Sequence, residues 1–245
     1  MKKADGTRPV MLNLGQGVAW DDWYGRGVRT NKPEDYPLYT QGGDILSFDI
    51  YPVTHDDKAV AGKLEFVARG TQRLRQWTDP AKPVWACIEC THIGNAAKKP
   101  TPGEVKAEVW MALIHGAGGI MYFAHQFAPR FIEAGLLEDA EMCKAVTEIN
   151  GQIQELAPAI YGVRPVEGAV FSTGGVALTT RRQGSATYVF GVGMSAASVK
   201  GTIGLKGAAG TVEVLGEGRR IAASGGGWSD TFDGYQVHLY RLSGP

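Results

Sequence analysis

Four short apolar runs punctuate the first 160 residues, and helical spacing fills the stretches between them. "RPVMLNLG" (8–15), "GDILSFDIYPV" (43–53), "KPVWACIECT" (82–91) and "GGIMYFAHQF" (118–127) read as β-strands. Between them, "DDKAVAGKLEFVARGTQRLRQW" (56–77) sets Val60, Leu64, Val67 and Leu74 at helical intervals. "TPGEVKAEVWMALIHG" (101–116) opens with a cap at Thr101, a proline in the first turn and Glu104 to complete a capping box. Val105, Val109, Ala112 and Leu113 give that helix its buried stripe. A further helix is expected from about Glu138 to Leu156, stopping before Pro158. Strands alternating with helices imply parallel βαβ units, and near-continuous apolar strands imply a sheet covered on both faces. The fold class is therefore α/β over residues 1–160.

The character changes after Pro165. Glycine becomes frequent, valine and threonine alternate, and helical periodicity disappears. "GAVFSTGGVALTTRR", "ATYVFGVGM", "KGTIGLKG", "GTVEVLGEGR" and "GYQVHLYRL" read as short strands between turns. Residues 161–245 are expected to form a small antiparallel β-sandwich module. Pro158 and Pro165 mark the boundary.

Composition narrows the function classes. Lysine plus arginine and aspartate plus glutamate both number 25, and no long basic run occurs, so nothing points to nucleic acid. No apolar run has membrane-spanning length. The opening "MKKADGTRPV" has no apolar stretch after its lysines and does not read as a secretion signal, so localisation stays open. Cys87, Cys90 and Cys143 make no disulfide framework. Cys87 and Cys90, three apart on a strand, point to opposite faces, and no second Cys/His pair follows. They read as packing residues, with no metal site and no cofactor.

The chemistry concentrates where the strands end. Leu46, Phe48 and Ile50 share one face of the second strand, and Ser47, Asp49 and Tyr51 share the other. Val84, Ala86 and Ile88 oppose Trp85, Cys87, Glu89 and Thr91 on the third, and Asn13 opposes Leu12 and Leu14 on the first. Aliphatic faces are expected to meet helices. In a barrel the mixed faces form the lumen, with active residues at the carboxyl ends of the strands. Glu89 stands at such an end, with Tyr51 at matching height as a donor to it. A buried carboxylate there is either hydrogen-bonded structure or working chemistry. Trp20, Trp23 and Tyr24 fall after the first strand, and Phe123, His125 and Phe127 end the fourth. Gathered at one end, these rings would make a pocket suited to the apolar faces of sugars. Singly, each reads first as a packing or anchoring residue.

"RPVMLNLG", "DILSFDIYP", "KPVWACIECT" and "GAGGIMYFAHQF" resemble the last four strands of retaining glycoside hydrolases with a (β/α)8 barrel. That clan includes β-galactosidases, cellulases and mannanases. The resemblance covers about residues 8–157 and implies a partial TIM-type barrel corresponding to strands five to eight. It implies that Glu89 is the nucleophile, that Tyr51 lies beside it, and that Phe123 or Tyr122 reaches the sugar-binding floor. Residues 166–245 resemble the accessory β-module that follows such barrels. The clan's acid/base glutamate follows an asparagine, and no Asn-Glu dipeptide occurs here. Retaining hydrolysis needs two carboxyl groups about 5–5.5 Å apart. The expectation is thus a glycoside hydrolase segment with little or no turnover by itself. Asn13, Trp20, Trp23, Tyr51, Phe123 and His125 would contact an oligo- or polysaccharide. Its open edges would take an N-terminal half-barrel or a second copy of the chain. A non-catalytic carbohydrate-binding protein, or a structural remnant of such a barrel, is the alternative. Relatives of this kind are often secreted or periplasmic.

Overall fold

The computed structural model describes residues 3–163 and 170–243. The chain divides into two compact units, Met1–Cys143 and Lys144–Pro245. Pro165, one of the two expected boundary marks, lies outside the described residues.

In the first unit β1 (Met11–Asn13), β2 (Ile45–Asp49), β3 (Val84–Glu89) and β4 (Gly119–Phe123) form one sheet in the order β1-β2-β3-β4. Every neighbouring pair is parallel, and the register sets Asn13 beside Ser47, Asp49 beside Cys87 and Glu89 beside Phe123. The β1–β2 connection holds short turns and α1 (Tyr36–Tyr39). α2 (Glu65–Trp77) crosses from β2 to β3, α3 (Pro102–Ile114) crosses from β3 to β4, and α4 (Gly135–Glu138) follows. The sheet's aliphatic face is fully buried: Leu46, Phe48, Val84, Ala86 and Ile88 are each at most 1% exposed. Burying each large side chain of this set contributes about 1.5–3 kcal/mol. On the other face Asp49, Tyr51, Trp85, Cys87, Met121 and Phe123 are only half-buried, and Asn13 is exposed.

Local sequence explains the helix positions, with two departures from expectation. Thr101 accepts from the Glu104 amide at 3.3 Å while Glu104 accepts from the Thr101 amide at 2.8 Å, the reciprocal box read in the sequence. α2 begins at Glu65, not near Asp56. Asp57 Oδ1 accepts from the Ala59 amide at 2.8 Å, and Gly62 turns back at φ +76° with its amide on the Pro52 carbonyl. That local bonding competes with helix, so Val60 reaches the core from a turn. α5 (Ala140–Ile160) runs through Pro158 instead of stopping before it. A proline two residues before a helix end removes one hydrogen bond and crowds one carbonyl, with little helix left beyond it to disrupt, and the Tyr161 amide still reaches the Ala157 carbonyl at 3.0 Å.

The second unit carries two antiparallel sheets. β6 (Val176–Gln183), β7 (Ala186–Gly193), β9 (Gly210–Val214), β10 (Arg219–Ala223) and β12 (Val237–Leu242) form one, in the order β10-β9-β12-β7-β6. β5 (Val170–Ser172), β8 (Val199–Leu205) and β11 (Gly227–Phe232) form the other, in the order β11-β8-β5. Val176, Val189, Val212 and Tyr240 of the first sheet share one buried cluster with Ile203, Trp228 and Phe232 of the second. Among the described residues no helix is long and apolar enough to cross a membrane.

Candidate functional site

A cleft of about 580 Å³ opens in the first unit, lined by Gln16, Trp20, Trp23, Tyr24, Tyr51, Thr54, His55, Asp56, Asp57, Ile93 and Gly94. These residues come from the segments that follow β1, β2 and β3, so the cleft lies at the carboxyl ends of three parallel strands. Three expected sugar contacts, Trp20, Trp23 and Tyr51, meet in its wall. Trp20 and Trp23 have ring centroids 6.2 Å apart, Trp23 and Tyr24 are 4.5 Å apart, and His55 stands edge-on to Trp20 at 5.3 Å.

The loop that bears these rings is tied to α2. Asp21, next to Trp20, accepts from Arg69 at 2.9 Å and from Arg73 at 2.7 Å. Arg26 binds Asp35 at 2.9 Å and lies over the Tyr36 ring at 4.6 Å, and Tyr36 stacks on Trp77 at 4.9 Å. Partly exposed pairs such as these contribute about 0–1 kcal/mol each. Their geometric consequence is larger: they fix the direction in which the indoles point.

His55 was missed in the sequence, as were Gln16, Asp56 and Asp57. All but Gln16 lie just beyond Pro52, and a "THDD" run just past a strand's carboxyl end was the available signal. His55 Nδ1 accepts from the Asp57 amide at 3.0 Å, so its Nε2–H donates to Gln16 Oε1 at 3.0 Å. Burial holds the His55 pKa below the ordinary histidine value, which agrees with a neutral ring. Asp56 accepts from Asn95 Nδ2 at 2.8 Å.

Glu89 sits differently from expectation. It is 0% exposed and does not line the cleft. Its Oε1 accepts from the Val53 amide at 2.6 Å, and its Oε2 accepts from the Thr54 amide at 3.0 Å and the Thr54 hydroxyl at 2.7 Å. Since Thr54 is a cleft residue, the carboxylate stands one hydrogen bond behind the cleft wall. Burial raises its pKa above the ordinary value, and the Thr54 and Val53 donors pull it back. Glu108 of α3, completely buried, lies within hydrogen-bonding reach of the same carboxyl group.

Tyr51 does not donate to Glu89. Its hydroxyl faces Cys87 Sγ at 3.6 Å and lies within bonding reach of Asp49, which Asn13 also reaches. The strand register explains this: Asp49 and Cys87 are paired two residues earlier, and the tyrosine ring leans back along the inner face. Burial raises the Asp49 pKa and pushes the Cys87 thiol up to about 11, so Cys87 is a neutral packing thiol. Phe123 lies 5.4 Å from Tyr51 but outside the cleft wall. Phe123 and His125 belong to a separate group of rings with Phe127 and Phe131, and His125 Nδ1 donates to the Glu133 carbonyl. Among the described residues no set of three or more His, Cys, Asp or Glu side chains is placed to hold a metal ion.

No protein-family model matches the chain. The β-galactosidase LacZ of Lactobacillus acidophilus is 24% identical over 170 residues, which is 66% of this chain and 23% of that protein. An Anoxybacillus α-amylase superposes with a TM-score of 0.51 at 14% identity, covering 89% of this chain and 57% of the amylase. Gan42B, a GH42 β-galactosidase from G. stearothermophilus, gives 0.51 at 11% identity, covering 85% of this chain and 61% of its own. AmyP gives 0.52 at 8% identity over 96% of this chain and 64% of AmyP. The chain thus spans less than two thirds of each. With its four-stranded parallel sheet, helices and antiparallel sheets, the chain resembles these glycoside hydrolase domains in fold.

Proposed function

We propose that this chain is a saccharide-binding segment of a glycoside hydrolase, built on the carboxyl-side half of a (β/α)8 barrel. The observation that carries the reading is the cleft itself. Trp23, Tyr24 and Tyr51 offer ring surface beside the largely buried Trp20, and Gln16, His55, Asp56 and Asp57 offer hydrogen-bonding groups, all at the carboxyl ends of parallel strands. Sugars present apolar C–H faces and equatorial hydroxyls, and this wall matches both. The half-buried inner face and the edge strands β1 and β4 suit a further barrel half, from more chain or from a second copy.

Glu89 occupies the place of a retaining enzyme's nucleophile, at the end of the strand that resembles the clan's seventh. In the arrangement described, both its oxygens are engaged and water does not reach it. Attack on an anomeric carbon needs a carboxylate oxygen open to the sugar and a second carboxyl group to protonate the leaving oxygen. Burial therefore favours binding without turnover for this chain alone. The test is tryptophan fluorescence titration with a panel of β-linked oligosaccharides, on the native chain and on Trp23→Ala. The expected result is saturable binding that weakens about tenfold or more in the variant, since stacking contacts of this kind contribute on the order of 1 kcal/mol or more. No binding by any member of the panel, or equal binding by the variant, would refute the reading.

A further inference from the structure

Glu108 faces the sheet from the second turn of α3 and is 0% exposed. Neither of its oxygens is met by a well-aligned donor among the described residues. The carboxyl group and the amide of Glu89 lie within its hydrogen-bonding reach. Two ionised carboxylates in contact repel strongly where water is excluded, and a buried charge without a partner costs several kcal/mol by itself. One proton held between the two groups removes the repulsion, leaves a single negative charge for the Glu89 donors to hold, and turns an acceptor–acceptor contact into a hydrogen bond.

The donors decide which residue keeps the proton. Glu89 accepts three well-formed hydrogen bonds, each of which favours its charged form, while Glu108 has only the poorly aligned Glu89 amide. We infer that Glu108 is a positioning residue for Glu89: as a neutral acid it donates its O–H to the Glu89 carboxylate. Glu89 is then held charged and oriented at its strand end by four donors, from the β2 loop on one side and from α3 on the other.

The surroundings agree. Burial raises the Glu108 pKa well above the carboxylate range, and the Glu89 charge raises it further. The Cys90 thiol, pushed up to about 12 by burial, is neutral. Glu104, one turn earlier on α3, is occupied in the capping box with Thr101, and Asp139 is paired with Lys99. None of these groups brings a positive charge to the pair. The role assigned to Glu108 rests on Glu89 being the functional strand-end carboxylate of the proposed function, whereas the shared proton does not.

The test is carbon NMR of the chain with carboxyl-labelled glutamate, titrated from acid to neutral pH. At pH 7 the native chain should show one glutamate still protonated, absent in Glu108→Gln and present in the control Glu104→Gln. The Glu89 carboxyl should titrate at nearly its native midpoint in Glu108→Gln, whose amide still donates. In Glu108→Met it should titrate higher, by on the order of one pH unit, because a donor is lost. A folded native chain with every glutamate ionised at pH 7 would overturn the inference, even if neither variant folded. An unchanged Glu89 midpoint in Glu108→Met would overturn the positioning role. Failure of oligosaccharide binding with the shared proton intact would instead count against the proposed function.

Discussion

Replacing Thr54 by valine tests the cradle around Glu89 with little change of shape. The substitution removes the hydroxyl that donates to Glu89 Oε2 at 2.7 Å and leaves the two backbone donors in place. A hydrogen bond to a charged group contributes about 1.5–3 kcal/mol net, and here a methyl group would also face the carboxylate. The expected loss at pH 7 is about 2–3 kcal/mol, a large fraction of the stability of a domain this size. The loss depends on pH. The folded pKa of Glu89 already lies above its ordinary value, and losing a donor to the charged form raises it again. Stability linked to a raised carboxyl pKa is fully present below the unfolded value and is lost as pH rises through the folded one. The gap between native chain and variant should therefore be small near pH 4 and widen towards pH 7. Urea unfolding at both pH values, followed by circular dichroism, measures it. A gap below about 0.5 kcal/mol at pH 7, the size of an ordinary surface substitution, or a gap equal at both pH values, would refute the reasoning.

Two further substitutions test how the site is held. Gly70→Ala in α2 should lower the unfolding free energy by about 1–2 kcal/mol, although alanine favours helix by about 1 kcal/mol. Its Cβ would stand 2.2 Å from Phe48 Cε2 and 2.9 Å from Ala19 Cβ, and Phe48 is packed at 1% exposure; a more stable variant would show that α2 can retreat. Thr101→Ala should cost about 1 kcal/mol by opening the α3 cap, read from the same urea transitions, and no change would mean that the box is dispensable.

The sheet was legible because its periodicity is carried by residues that have no alternative. Leu46, Phe48, Val84, Ala86 and Ile88 must leave water together, and only a parallel sheet under helices buries them all. The cap of α3 was legible because Thr101, Pro102 and Glu104 act locally. The start of α2 was not, since Val60 keeps helical spacing while Asp57 and Gly62 impose a turn through backbone bonds that no periodicity records.

The site was legible in part for a similar reason. Position along the strands located the indoles of Trp20 and Trp23, because their loop has to emerge where β1 ends. The partners of Glu89 come from two sequence-distant places: Val53 and Thr54 after β2, and Glu108 in α3. A two-residue difference along one strand face decides whether Tyr51 meets Glu89 or Cys87, and strand alternation, which puts both on that face, does not resolve it. Glu108 looked like one more polar residue in an apolar helix, and only its packing against the sheet gives it meaning.

The central claim is that saccharide binds against the indoles at the carboxyl ends of the parallel strands. Nitrogen-15 NMR of the labelled chain, titrated with a β-linked oligosaccharide, tests it most directly. The account predicts dose-dependent shifts of the Trp20 and Trp23 indole N–H signals together with the amides of residues 54–57. Shifts confined to residues 170–243, or none at saturating sugar, would contradict it.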